Sequence, residues 1–324
     1  MTRLFMSIVA ASCAIFPVAL PVLAEYPVKP ITWIVPAAAG GFNDVIVRII
    51  AEHMAKTLGQ PIIIENDPGA GGTTAVGRAA RAAADGYTIV AGSMGTHGAA
   101  PAQYAGLKYD PARDFTSIGL TAEAPAVIVT RRDFPANNLK EFVHYVQKNQ
   151  AQVNEAHAGA GSQSYTYCAL LQSILGTKTA RIAYRGAAPA INDLVAGHVD
   201  FSCVSLNSVV SQIQGGTVKA IAIAGPERAA VIKEIPTTTE AGLPEFQVSG
   251  WNAIFAPKGL PPDIQARLSD ALHKALDDRA TADRLLEVGC FLPEKADRTP
   301  QALEKRVANE VARWSSVLKM EATK

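Results

Sequence analysis

The sequence predicts an α/β protein of two domains. Short β-rich runs alternate with longer Ala- and Leu-rich segments of helical period, glycine-containing loops follow the strands, and the last sixty or so residues are helical in pattern. Ile31 to Val35 reads as a buried strand, Asp44 to Leu58 as a helix and Pro61 to Glu65 as a strand. Gly72 to Ala84 is expected to be helical, Thr88 to Gly92 and Ala126 to Thr130 extended, and Leu139 to Lys148 helical. Tyr165 to Leu175 continues as helix, Arg181 to Tyr184 as strand, Pro189 to Ala196 as helix, and Val199 to Ser202 and Ala220 to Ala224 as strands. From Pro262 onward three segments carry apolar residues at spacings of three and four: Pro262 to Leu276, Ala280 to Val288 and Pro300 to Leu318. No repeat or low-complexity linker separates the two halves, which fits domains joined by several chain crossings.

The chain opens as an exported protein does. Thr2-Arg3 precede an apolar run from Leu4 to Leu23, broken by Pro17 and Pro21, and Val22-Leu23-Ala24 precede the polar Glu25-Tyr26-Pro27. A charged start, an apolar middle and small residues before the junction predict a signal peptide over residues 1–24, cleaved after Ala24. The alternative, an uncleaved anchor, is disfavoured by the two prolines and the abrupt Ala24-Glu25 junction. About 300 residues of the 324 then remain, enough for two cores. Lys plus Arg number 30 against 29 Asp plus Glu, so no charge excess calls for nucleic acid or an acidic membrane surface.

Outside the leader there are Cys168, Cys203 and Cys290, with no CxxC and no metal-type spacing. The expected pair is Cys168 with Cys203, a helix residue with one at a strand end, which leaves Cys290 unpaired. Buried free thiols acting as small hydrophobes are the alternative. The six histidines show neither HxH nor HExxH spacing, so no zinc site and no cofactor is expected. GxGxxG opening the first βα unit, a Walker lysine and a GxSxG elbow are all lacking, which argues against an enzyme.

Three loops carry the candidate chemistry. Pro36-Ala37-Ala38-Ala39-Gly40-Gly41-Phe42-Asn43-Asp44 joins a strand to a helix, where backbone N–H groups and the positive end of the helix dipole can hold an anion without lysine or arginine. The plainer reading is a tight βα connection capped by Asn43 or Asp44. Ala158-Gly159-Ala160-Gly161-Ser162-Gln163-Ser164 is a second such loop, with hydroxyls and an amide added. Ala91-Gly92-Ser93-Met94-Gly95-Thr96-His97-Gly98 is the third, after a strand. Ligands of open α/β sheets bind outside the carboxyl ends of strands, where these loops sit. Gly69-Ala70-Gly71-Gly72 is read as a turn capping the helix from Thr73. His97 and His157 lie in or beside the loops, as ligand hydrogen-bonders or as packing residues.

The ordered set Trp33-Ile34-Val35-Pro36, Gly40-Gly41-Phe42-Asn43-Asp44, Pro68-Gly69-Ala70-Gly71-Gly72, Asp85-Gly86-Tyr87-Thr88 and Gly95-Thr96-His97 resembles the opening of the Bug family. These are the solute-binding proteins of tripartite tricarboxylate transporters. The likeness runs on through Tyr184-Arg185-Gly186, Gly197-His198-Val199-Asp200, Glu240-Ala241-Gly242-Leu243-Pro244 and Ala256-Pro257. It implies a two-lobed periplasmic-binding-protein fold of the Venus flytrap kind, type II-like, with the ligand cleft between lobes and the chain located in the periplasm. Lobe 1 is expected over 25–125 plus 249–324 and lobe 2 over 126–248. By position, Ala39 and the Gly40 to Asp44 loop would be one jaw and the Gly159 to Ser164 loop (Gly159, Gly161, Ser162, Gln163, Ser164) the other. Ser93, Thr96 and His97 would line the cleft, Tyr184, Arg185 and Gly186 the hinge-side wall, and Ser205 and Asn207 would complete the ligand set. Arg185 is either a salt-bridge partner of a carboxylate or one half of a surface or interlobe ion pair.

The resemblance also implies partners: a small organic carboxylate, aliphatic or aromatic, and the membrane permease subunits of a tripartite tricarboxylate transporter, with the protein itself a monomer. A sensor that presents its solute to a membrane receptor is the rival role. Many family members carry an aspartate shortly after the strand ending at Ser202, where this chain has Val204, which argues against a ligand amine. Phe42 would add an aromatic face, and the positions of Cys168 and Cys203 resemble those of a subset of the family that includes binders of aromatic dicarboxylates. The expected mechanism is closure, with the second jaw completing hydrogen bonds to an anion already held by the first.

Overall fold

The computed structural model describes residues 26–225 and 227–322, so the predicted signal peptide lies outside the described residues. One continuous sheet organises the chain, in strand order β2-β1-β3-β9-β4-β7-β5-β6, with β8 also paired to β4. In chain order the elements begin β1 (Ile31–Val35), α1 (Phe42–Leu58), β2 (Ile62–Asn66), α2 (Thr73–Ala79), β3 (Thr88–Ser93), α3 (Ala100–Gln103) and β4 (Phe115–Arg131). There follow α4 (Leu139–Asn149), β5 (Asn154–His157), α5 (Gln163–Leu175), β6 (Ala180–Ala183), α6 (Ala187–Val195), β7 (Phe201–Ser205), α7 (Val210–Gln214) and β8 (Val218–Ile223). The chain ends with β9 (Ser249–Pro257), α8 (Pro262–Asp277), α9 (Arg279–Glu287) and α10 (Pro300–Ala322).

The long strand β4 makes the protein two-lobed. Its first part, Phe115 to Pro125, pairs antiparallel with β9, and its last residues, Ala126 to Arg131, pair antiparallel with β7 and β8. The handover falls at Pro125, whose missing N–H suits the point where one ladder ends and the next begins. On one side β1 lies parallel to β2 and β3, and on the other β5 lies parallel to β6 and β7. Each half has its own apolar core: Trp33, Ile46, Ile50 and Leu272 in one, Val127, Ile191, Leu194 and Val204 in the other. A third cluster runs beneath both and includes Tyr167, Trp251, Phe255 and Trp314 of α10.

Several boundaries differ from expectation for identifiable reasons. The helix expected to reach Ala84 ends at Ala79, because Arg81 to Asp85 present no buried face to hold another turn. The expected strand Ala126 to Thr130 is the last third of β4, whose earlier part contains Gly119 and Pro125 and is accommodated by register shifts near Ser117 and Leu120. β5 and β9 were not anticipated: Asn154-Glu155-Ala156-His157 lacks β-branched residues, and Ser249-Gly250-Trp251-Asn252 reads as a turn. Neither Asn43 nor Asp44 caps α1. The N-cap is Gly41, and Asp44 reaches back from the first turn to accept the Gly40 N–H at 2.8 Å.

Cys168 of α5 and Cys203 of β7 form a disulfide, both wholly buried, with Cα atoms 5.3 Å apart. Cys290 is a buried free thiol whose pKa burial pushes up.

Candidate functional site

A cavity of about 70 Å³ opens where the two halves of the sheet face each other. From the first half it is lined by Pro36, Ala37, Gly41, Asn43, Pro68, Gly71, Ser93 and Thr96. From the second it takes Ala158, Gly161, Ser162, Gln163, Ser164, Gly186, Ala187, Val204, Ser205 and Ser208. None of these is an Asp, Glu, Lys, Arg or His. Its polar surface is hydroxyl, amide and backbone, and three helices of 17, 13 and 9 residues, α1, α5 and α6, begin at its edge.

The first loop is shaped by a carboxylate that does not enter the cavity. Asp44, buried behind the loop, accepts from the Gly40 N–H at 2.8 Å, from Asn66 Nδ2 at 2.9 Å and from Arg48 Nε at 3.0 Å. Burial raises its pKa, but the hydrogen bonds of Arg48, Gly40 and Asn66 and the Arg48 charge outweigh it and hold the carboxyl below its usual range. Asn66 Nδ2 also donates to the Ala37 carbonyl at 3.1 Å, so strand β2 fixes the loop from beneath. Asn43 does face the cavity, and its Oδ1 accepts from Asn252 Nδ2 at 2.8 Å, while Asn252 Oδ1 accepts from Thr121 at 2.8 Å. That chain ties the first turn of α1 to β9 and β4.

The Ser93 to Thr96 turn is capped reciprocally: Ser93 N–H donates to Thr96 Oγ1 at 3.1 Å and Thr96 N–H to Ser93 Oγ at 3.4 Å. Both line the cavity. His97 does not, against expectation. It is 0% exposed, its Nδ1 lies 3.0 Å from Thr96 Oγ1, and its ring stacks on Phe255 with centroids 4.0 Å apart. Burial lowers its pKa to about 3, so it is neutral. A turn residue pointing into the core cannot be told by sequence from one pointing outward.

In the second loop Ser162 is the N-cap of α5, accepting from Tyr165 N–H at 3.3 Å and donating to the Gly159 carbonyl at 2.6 Å. Ser164 Oγ accepts from Ala158 N–H at 2.9 Å, and His157 Nδ1 accepts from Gly159 N–H at 3.1 Å. Gly159 and Gly161 hold φ of +99° and +81°, a region that favours glycine. Gly161, Ser162, Gln163 and Ser164 line the cavity, whereas Gly159 turns behind it. Ser205, at the end of β7, lies 3.2 Å from Tyr167 Oη and faces the cavity with Ser208.

Other expected residues fall outside the lining. Ala39 and Gly40 are exposed on the outer side of their loop. Tyr184 donates its phenol O–H to Asp193 at 2.6 Å, and Arg185 is exposed and forms no ion pair among the described residues. Asn207 is buried beside the cavity without lining it. The Phe42 side chain lies outside the described residues, so its aromatic face has no structural counterpart here. Sequence reading missed Pro68 and Gly71, taken as part of a capping turn, and Ala187; Gly186, expected at the hinge-side wall, lines the cavity at the start of α6, where the Cβ atom of Ala38 lies 2.7 Å from where one on Gly186 would be. Their signal was present in the quoted glycine-containing motifs.

Two α/β lobes closing on an uncharged, dipole-lined cavity define a solute-binding protein. The chain belongs to the family described as the tripartite tricarboxylate transporter family receptor, whose model matches residues 46–322. Among solved structures it is similar to MatC from Rhodopseudomonas palustris with bound malate, 44% identical with a TM-score of 0.88 over 90% of this chain and 100% of that one. It is also similar to the periplasmic binding protein BugD, 36% identical with a TM-score of 0.88 over 92% and 99%. A third is R. palustris Rpa4515 with adipate, 27% identical with a TM-score of 0.88 over 92% and 99%. The expected family and the two-lobed periplasmic-binding-protein fold are borne out.

Proposed function

We propose that this chain captures a small organic carboxylate in the periplasm and hands it, in the closed form, to the membrane permease subunits of a tripartite tricarboxylate transporter. The observation that carries the reading is the convergence of the α1, α5 and α6 N-termini on a cavity with no ionisable side chain. Unpaired backbone N–H groups and the positive ends of the helix dipoles attract an anion there. No lining carboxylate is available to pair with an ammonium group, which favours ligands whose only charges are carboxylates. Neighbouring proteins of the fold with malate and adipate bound point the same way.

The division of labour supported by the sheet is lobe 1 over 25–125 plus 249–324 and lobe 2 over 126–248, with ladders changing partner at Pro125 and Ser249. Binding residues are then Gly41, Asn43, Ser93 and Thr96 on lobe 1 and Gly161 to Ser164 with Ser205 on lobe 2. The protein acts as a binder and not as a catalyst: Ser162 Oγ, half-buried at the site, has the Gly159 carbonyl, the Ser164 hydroxyl and the Tyr165 N–H as its partners, and no basic side chain among the described residues hydrogen-bonds to it. Cleavage after Ala24 would release the mature chain to the periplasm.

A thermal-shift and calorimetric screen of the mature protein against aliphatic, aromatic and tricarboxylic acids, amino acids and nicotinamide tests this. A ligand at a hundred times its Kd adds about 2.7 kcal/mol. A carboxylate response lost in Gly41→Asp and Ser162→Asp supports the reading, whereas a response confined to amino acids or nicotinamide overturns it.

A further inference from the structure

Beside the cavity, one side chain touches both lobes. Tyr104, the C-cap of α3 on the first lobe, donates its phenol O–H toward the Ala70 carbonyl at 2.8 Å and, at the same time, lies in hydrogen-bond contact with the Ala160 carbonyl of the second lobe's jaw loop. Its ring abuts Gly161, where an added Cβ would meet Tyr104 Cε2 at 2.5 Å. The preceding residue reinforces the crossing: Gln103 Nε2 donates to Thr166 Oγ1, in the first turn of α5, at 3.0 Å.

We propose that Tyr104, assisted by Gln103, is an interlobe latch, a positioning residue that holds the second jaw loop in its ligand-binding place. This rests on the two-lobe reading above. The phenol carries one proton and faces two carbonyls, one on each lobe. When the lobes part, the Ala70 carbonyl and water satisfy it, so the Ala160 contact adds free energy to the closed arrangement alone. Tyr104 is half-buried and outside the three apolar clusters, so its hydroxyl contributes to closure without being needed for either core. The loop it holds carries Gly161 and Ser162, so the latch acts on the binding surface directly.

The test uses the mature chain and Tyr104→Phe, which keeps the ring against Gly161 and removes only the hydroxyl. Spin labels at Arg113→Cys and Glu234→Cys, both exposed and on opposite lobes, report lobe separation, the native cysteines being either bridged or buried. L-malate and adipate serve as probes in stopped-flow release. The expected result is a longer label separation without ligand and a dissociation rate raised about three- to tenfold, the scale of one net hydrogen bond. The association rate stays as in wild type, and the thermal midpoint of the ligand-free chain falls by no more than the loss of about one net hydrogen bond allows. Unchanged label distances, or a lowered midpoint with unchanged distances, overturn the latch. Wild-type protein that binds neither probe counts against the carboxylate reading for those ligands, while the label distances still decide the latch.

Discussion

Gly71 and Ala160 face each other across the cleft with no room between them for a methyl group: a Cβ built on Gly71 would run into the Ala160 carbonyl. Gly71 also holds φ of +64°, so alanine there is strained even in the open form. Gly71→Ala is therefore expected to cost about 1 kcal/mol in stability and, separately, to block full closure. Calorimetry should show affinity for the identified ligand reduced at least about tenfold, the equivalent of about 1.4 kcal/mol. Equal affinity in the two proteins would mean that closure does not bring these loops together.

Asp44 shapes the first jaw without touching the cavity. Removing it in Asp44→Ala strands the Gly40 N–H and Asn66 Nδ2 and frees Arg48, with an expected loss of about 2–3 kcal/mol in urea unfolding. Asp44→Asn, which keeps one acceptor oxygen, should recover part of that stability. A variant as stable as wild type would show the loop to be held by other contacts.

Two buried histidines make the fold acid-sensitive. Burial lowers His157 to about 4 and His97 to about 3, both below the ordinary 6.5. Above pH 6.5 neither state is protonated, so the pair contributes nothing. Below it the unfolded chain binds protons that the folded chain refuses, and stability falls as pH drops toward the folded values. The slope is about 1.4 kcal/mol per pH unit for each histidine. Urea midpoints measured from pH 7 to pH 5 should decline accordingly, and His97→Phe should flatten the decline by about half. An identical slope in that variant would assign the acid sensitivity to other groups.

The disulfide joins the helix that carries Ser162 to Ser164 with the strand that ends at Ser205, so it lies directly behind the second jaw. Closing its loop of about 35 residues stabilises the native state by about 3–4 kcal/mol in the chain-entropy model. The Cys168→Ala, Cys203→Ala double variant should show that loss in urea. Reductant should leave the native wild type unaffected, since both sulfurs are fully buried. Rapid reduction under native conditions would contradict that burial.

How much of this was legible in sequence depended on whether a signal is local. The βα loops at Gly40 to Asp44 and Gly159 to Ser164 announced themselves through glycine and small residues, and the disulfide through the helix and strand flanking its cysteines. What sequence did not reveal was orientation. Asp44 and His97 sit in the expected loops but face away from the cavity, because Arg48 and Asn66 in one case and Phe255 in the other hold them there. Those partners lie 4 to 158 positions away along the chain, and no local pattern encodes the choice. β9 was hidden for the same reason: Gly250 and Asn252 are poor strand formers, and only pairing on both sides, with β3 and β4, makes Ser249 to Pro257 extended.

A cavity without ionisable side chains should bind its ligand with little dependence on salt or mild pH. Exposed ion pairs weaken as the Debye length shrinks from about 14 Å at 50 mM salt to about 4 Å at 500 mM. Here the donors are Ser, Thr, Asn and Gln side chains and the helix N-termini of α1, α5 and α6, neutral groups between the lobes that act on the ligand at contact distance, where salt screens far less than it does between separated surface charges. Nor does any lining group titrate between pH 6 and 8. The measured Kd should therefore change less than about threefold between 50 and 500 mM salt, and no more than that between pH 6 and 8. A drop of ten- to a hundredfold at high salt would require a lysine or arginine to reach the ligand, and exposed Arg185, beside Gly186 at the cavity edge, would be the first to replace with glutamine.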